Sequence, residues 1–235
     1  LADNEAIRRL LLEAAGIACT VSSFVSPAFY RILYQQGRWL SKLGCFAMGS
    51  LRRVRDVLQS RRYDAVFIHL EACPVGPPLV EWWLSRRGVP VIFDLDDAMF
   101  LPRRSASAPV MRWLRMPHKV QAILRWSRCV ITCNEYLAAY ARQVNSRVYM
   151  IPTCVDTQRF APAPKPPRAK PLVGWVGSPS TASYLLTLRR VLQRVATQHP
   201  FSLKIVGAGA TMHLPGVEVV QEPWTLARDV AYFQD

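Results

Sequence analysis

The chain has 235 residues, 51% of them hydrophobic and 20% charged, and carries a formal charge of +14 at neutral pH. This composition can bury a core and excludes an intrinsically disordered chain, and the length suits one large or two small domains. No uninterrupted apolar run reaches the roughly 18 residues of a membrane span.

In chain order, helical and extended patterns alternate. Asn4 to Ala15 reads as a helix, Ile17 to Phe24 as a strand, Ser41 to Ser60 as a helix, Asp64 to His69 as a strand and Pro77 to Arg87 as a helix. Val89 to Leu95, Cys129 to Cys133 and Val148 to Pro152 read as strands, with helices at Pro109 to Ser127 and Glu135 to Gln143 between them. The Pro-rich stretch 161–171 cannot continue a sheet and reads as a stiff, solvated linker. Beyond it lie strand patterns at Leu172 to Val176, Ser202 to Val206 and Val217 to Gln221. Leu185, Leu188, Leu192 and Val195 mark the apolar stripe of one helix between the first two. A last helical pattern starts near Thr225. The chain opens Leu1-Ala2-Asp3 without Met and ends at Asp235 inside that pattern, so it reads as a fragment open at both ends. Such alternation predicts an α/β fold with two Rossmann-like parallel-sheet domains, 1–160 and 172–235, joined by the linker 161–171, the second incomplete.

Residues 1–170 hold 25 of the 30 Lys and Arg and 12 of the 16 Asp and Glu, so the positive excess belongs to the first domain. Much of it lies in aromatic-laced stretches, Tyr30 to Arg62 and Arg112 to Arg128. Basic amphipathic helices edged with Trp suit an anionic membrane surface, and the charge alone would equally suit nucleic acid or a solvated face. The six cysteines form no C-x-x-C pair and read as free thiols of a reducing compartment. Four scattered histidines have no metal-ligand spacing, and no metal is expected.

Parallel α/β sheets bind ligands beyond the carboxyl ends of their strands. That rule singles out the loops at His69 to Glu71, Asp94 to Asp97, Asn134 and Glu135, Gly177 and Ser178, and Gly207 to Gly209. Carboxylates (Glu71, Asp94, Asp96, Asp97, Glu135) gather on the first domain, Gly and Ser on the second. Gly177-Ser178-Pro179-Ser180-Thr181 follows a strand and opens a helix, where unpaired N–H groups and the helix dipole can hold a phosphate. Ser178 and Ser180 could equally be ordinary caps.

The runs Tyr63 to Pro78, Gly88 to Asp97, Val130 to Leu137 and Ile151 to Phe160, with Val173 to Thr181 and Ile205 to Gly209, resemble bacterial family 4 glycosyltransferases of the two-Rossmann GT-B fold. The similarity runs in the family's order from about Glu5 to the end. It implies transfer of a sugar from a nucleotide-sugar donor to a sugar or lipid-linked hydroxyl acceptor, with retention of configuration and without a metal or other cofactor. The first domain would take the acceptor and the second the donor, in a cytoplasmic protein attached peripherally to the inner face of the membrane, with no nucleic-acid partner.

Many relatives carry an Arg and a Lys in the first donor-domain loop, where Ser178-Pro-Ser-Thr-Ala-Ser183 offers only hydroxyls and N–H groups. The place where relatives often carry a His falls on Asp96. The family's first strand and its acidic donor motif would lie outside Leu1 to Asp235, so this stretch alone is expected to be inactive. The resemblance assigns acceptor orientation to Asp96, with Glu71, Asp94, Asp97, Asn134 and Glu135 as further acceptor-side candidates. It assigns donor binding to Gly177, Ser178, Ser180, Thr181, Gly207 and Gly209. Val91-Ile-Phe-Asp94-Leu-Asp96-Asp97 also resembles the nucleophile motif of haloacid dehalogenase-type phosphatases, where Asp94 would attack phosphorus and Asp96 act as acid/base beside Mg²⁺. Ala98 stands where that motif has Thr.

Overall fold

A computed structural model describes residues 12–33, 37–101, 116–164, 167–179 and 181–234. The start of the expected helix 4–15, the first half of the expected helix 109–127, and Ser180 lie outside the described residues. The chain forms two compact units, Leu1–Thr153 and Cys154–Asp235.

The first unit is built on a four-stranded, wholly parallel sheet of β1 (Val66–His69), β2 (Val91–Leu95), β3 (Cys129–Thr132) and β4 (Val148–Met150), in that spatial order. Helices connect the strands: α1 (Pro27–Leu33) and α2 (Trp39–Gln59) precede β1, α3 (Leu79–Arg86) follows it, and α4 (Lys119–Trp126) and α5 (Glu135–Arg142) flank β3. β2 is covered on both faces, which is why it reads as a near-continuous apolar run rather than an alternating one. Phe93, Leu95 and Val130 pack with Ile123 and Leu124 of α4 and Leu137 of α5 as the core.

The stretch expected as a strand at Ile17 to Phe24 has no ladder. Ile17 and Val21 are exposed, and Phe24 alone is buried, edge-on to Phe46 with ring centroids 5.3 Å apart. Polar pairing with α2 replaces the strand. Arg53 donates to the Ser22 carbonyl at 2.9 Å and to its hydroxyl at 3.0 Å, and that hydroxyl donates to Asp56 at 2.7 Å.

The second unit carries a parallel sheet of β5 (Leu172–Val176), β6 (Ser202–Val206) and β7 (Glu218–Glu222) in spatial order. Leu203, Ile205, Phe201 and Leu214 form its core with Leu185. The single helix expected from the leucine stripe is two, α6 (Ala182–Thr187) and α7 (Arg189–Gln198), and Leu188 and Val195 are exposed. The break has a local cause. Leu188 sits at φ −86°, ψ −1°, and the Thr187 hydroxyl donates to the Tyr184 carbonyl at 2.6 Å, competing for a helix acceptor. The pattern near Thr225 forms a 3₁₀ turn, Leu226–Arg228, and then α8 (Ala231–Gln234). Residues just before the Pro-rich stretch lie within this unit: Arg159 pairs with Asp229 at 2.6 Å, and Gln234 donates to the Ala161 carbonyl at 2.9 Å.

Within the Pro-rich stretch only Arg168 is not followed by proline, so trypsin under limiting conditions is expected to cut first there and to leave the first unit resistant. First cuts within residues 60–130 would refute that division. In the second unit, Gly207 has φ +82°, and a Cβ there would lie 2.3 Å from the Gly177 carbonyl oxygen, whereas Gly216, at φ +80°, has open space around it. Gly216→Ala should therefore cost about 1 kcal/mol of backbone strain. Gly207→Ala should cost at least about 2 kcal/mol, because a backbone must also move. Urea melts of the two variants check the difference.

Candidate active site

The parallel register sets His69 at the end of β1 directly beside Asp94 of β2. Asp94 is buried, and a buried carboxylate must be paired or hydrogen-bonded. His69 supplies the partner: an ionised carboxylate only accepts, so Nδ1–H donates to Asp94 Oδ2, at 2.9 Å. The other ring nitrogen, Nε2, faces Asp96 Oδ2 at 3.7 Å, too far for a direct bond. The imidazole thus stands between two carboxylates, with the His69 and Asp96 side chains 33% and 35% exposed.

A sharp turn fixes this placement. Leu70 takes the left-handed conformation, φ +64°, strained for a residue with a Cβ. Its N–H extends the ladder to the Asp94 carbonyl at 3.1 Å, and the next N–H, of Glu71, turns back to the His69 carbonyl at 2.9 Å. The following loop, Cys73-Pro-Val-Gly-Pro-Pro78, is held from beneath. Arg53 donates to the Ala72 carbonyl at 2.8 Å, Glu81 accepts the Ala72 N–H at 3.0 Å, and Lys119 donates to the Cys73 carbonyl at 3.0 Å. Lys119 is also ion-paired to Glu71. Glu71, an expected acceptor-side group, is therefore engaged in a buried ion pair beneath the loop.

The other candidates divide in the same way. Asp97 is exposed and accepts the N–H of Ala98 at 2.8 Å. Asn134 is the N-cap of α5, accepting the Leu137 N–H at 3.0 Å, which satisfies one of the helix's orphan donors. Glu135 lies in the first turn of α5, exposed and paired with Arg142. The Cys133 thiol donates to the Asp96 carbonyl at 3.4 Å and ties the β2 and β3 loops together. Asp94 and Asp96 meet at one imidazole, while Glu71 pairs with the buried Lys119 and Asp97, Asn134 and Glu135 hold local backbone or surface pairs. His69 is not among the carboxylates, and its signal in the sequence is its place at the end of an apolar strand, since adjacent parallel strands bring their ends together.

In the second unit, the N–H groups of the described residues around the expected anion cradle are already bonded. Gly177 donates to the Val206 carbonyl, Ser178 to the Thr181 hydroxyl, and Thr181 and Ala182 to the Ser178 carbonyl, each at 3.0 Å. α6, which they open, has six residues. The two glycine loops are in close contact: a Cβ on Gly209 would lie 2.6 Å from the Pro179 ring. At the end of β7, Glu222 binds Lys204 at 2.9 Å and Arg228 at 2.7 Å. The hydrogen bond from Lys204 is the main reason its carboxyl lies below the ordinary range.

Residues 25–154 match the model of the glycosyl transferase 4-like domain, which covers more than half of the chain. The chain belongs to this glycosyltransferase family, and its two parallel sheets are Rossmann-like units consistent with the GT-B fold. No protein of curated function matches it. Asp94, the nucleophile under the phosphatase resemblance, is buried and bonded to His69.

Burial raises the Glu81 carboxyl above its ordinary 4.5, against the lowering pull of the Ala72 N–H and Lys119. The folded state therefore holds this proton more tightly than the unfolded one. The contribution is most favourable below 4.5 and is lost as pH rises through the folded value. Glu81→Gln should be most nearly neutral, or stabilising, at pH 7 and comparatively unfavourable at pH 4. Urea melts at the two pH values check the sign of the change.

Proposed function

We propose that this protein transfers a sugar from a nucleotide-sugar donor to a hydroxyl acceptor, with retention of configuration, in glycan or glycolipid assembly. The observation that carries the reading is the His69 imidazole held between Asp94 and Asp96 at the mouth of a parallel sheet, in a chain of a glycosyltransferase family. An attacking hydroxyl has to be aimed, and its proton has to leave. With Asp94 holding Nδ1–H, the lone pair of His69 is on Nε2, the nitrogen on the Asp96 side. An acceptor held by a neighbouring hydroxyl that donates to Asp96 has its attacking hydroxyl turned to Nε2, which takes that hydroxyl's proton, and Asp94 stabilises the imidazolium that forms.

The donor is assigned to the second unit. Departure of a nucleoside diphosphate develops negative charge, which fixed dipoles and hydroxyls can stabilise without a metal. On this reading Ser178, Ser180 and Thr181 contribute hydroxyls, and Gly207 and Gly209 let the neighbouring loop approach. Ser178→Pro removes the N–H that positions the Thr181 hydroxyl, and it should weaken donor binding.

The test is transfer by the intact protein from labelled nucleotide sugars, with EDTA present. Asp96→Asn and His69→Gln should each lower turnover by roughly 10²- to 10⁴-fold, the usual worth of a positioned acid or base. Donor affinity, measured by calorimetry, should stay within a few-fold. Turnover that survives both substitutions would remove the pair from the mechanism. Phosphate release from simple esters that needs Mg²⁺ and is lost in Asp94→Asn would overturn the transferase reading.

A further inference from the structure

Three ionisable groups meet beneath the Cys73-Pro-Val-Gly-Pro-Pro78 loop: Glu71 from the turn that precedes it, Glu81 from the first turn of α3 and Lys119 from the start of α4. Glu81 is 2% exposed, and Lys119 is buried with it. Lys119 is ion-paired to Glu71 and fastens the loop, donating to the carbonyls of Cys73 at 3.0 Å and Gly76 at 3.5 Å. From α2, Arg53 donates to the Ala72 carbonyl at 2.8 Å and is itself held by Asp56. Glu71 and Glu81 therefore face a single ammonium.

Glu81 uses one of its two oxygens. Oε1 accepts the Ala72 N–H at 3.0 Å, whereas Oε2 is buried without a hydrogen-bond partner among the described residues. A bare carboxylate oxygen at this depth is costly, and a proton on Oε2 removes the charge while Oε1 goes on accepting. The surroundings act in the same sense: burial raises the carboxyl above its ordinary 4.5 and Glu71 adds to the rise, against the pull of the Ala72 N–H and Lys119. Loss of the proton leaves two carboxylates competing for the ammonium that holds the loop carbonyls. An opening of the loop that wets Glu81 returns the carboxyl to its ordinary range, so ionisation favours opening and protonation favours the closed loop.

We propose that Glu81 is a proton-linked positioning residue: with a proton on Oε2 it leaves Lys119 on the Cys73 and Gly76 carbonyls and the loop beside His69 closed, and without that proton the loop opens. As control of the site, this rests on the reading of His69 and Asp96 as the reacting pair. The linkage itself does not, so it is measured without any transfer.

The experiment is amide hydrogen exchange of the 235-residue chain from about pH 5 to about pH 8, each rate divided by the intrinsic rate at that pH. The Ala72 amide, which donates to Glu81, reports the loop, and Phe93 and Val130 report opening of the whole core. Ala72 should be less protected than the core amides. Its protection should fall by up to about tenfold per pH unit as pH rises from 4.5 toward the folded Glu81 value and then level off. In Glu81→Gln, which keeps the acceptor for the Ala72 N–H and cannot ionise, protection should not change with pH. In Glu71→Gln, Lys119 turns to Glu81 and the levelling-off should move to lower pH. A slope that survives in Glu81→Gln, or none in the unmodified chain, would overturn the proposal. So would Ala72 and the core amides exchanging with one common protection, since the opening would then be that of the whole unit. Should Glu71→Gln fail to fold, the comparison of the unmodified chain with Glu81→Gln decides by itself.

Discussion

A carboxylate at the buried end of a strand must find a partner, and at Asp94 that requirement governs the whole mouth of the first sheet. An unpaired charge at this depth would cost several kcal/mol. His69 can meet it because the β1–β2 ladder places the two residues side by side. The hydrogen bond then fixes the tautomer and plane of the ring, and so determines which nitrogen is turned to Asp96. Register, ring orientation and the left-handed turn at Leu70 are parts of one solution.

Beneath the turn lies a second polar layer, formed by Arg53, Glu71, Glu81 and Lys119. Lys119 is buried yet has three partners, the Glu71 carboxylate and the carbonyls of Cys73 and Gly76. Removing Glu71 would leave the buried Lys119 ammonium without its carboxylate, typically at about 3–5 kcal/mol. The members of the layer come from α2, the loop after β1, α3 and α4. The layer therefore ties the shape of the loop to the packing of three helices, and a change far from His69 can be felt there.

Two strands of the second unit are legible in the sequence to the residue. Leu172–Val176 and Ser202–Val206 have the expected bounds because an apolar run flanked by turn residues leaves little choice. Ile17 to Phe24 looked equally extended, but propensity needs a neighbouring ladder, and Arg53 and Asp56 take its polar groups instead. Leu188 shows the converse limit: leucine spacing sets which face is apolar, while a hydroxyl at Thr187 decides whether the helix continues. At the site, strand-end logic pointed to the loops whose Asp94 and Asp96 meet at His69. It could not foresee that Glu71 and Glu135 are taken up in ion pairs, since such pairs and helix ends use the same carboxylates. The engaged N–H groups around Ser178 depend on one Thr hydroxyl, a detail that residue type alone does not reveal.

Three of the six residues in Cys73-Pro-Val-Gly-Pro-Pro78 are prolines, whose φ is fixed before the chain folds. The unfolded loop therefore has fewer conformations to lose, and its ordering costs correspondingly less entropy. Once Lys119 and Arg53 have fastened it, a ligand arriving beside His69 meets a wall already in its final shape. Binding there need not be weakened by the immobilisation of a flexible segment, which is how a preorganised surface gains affinity without gaining contacts.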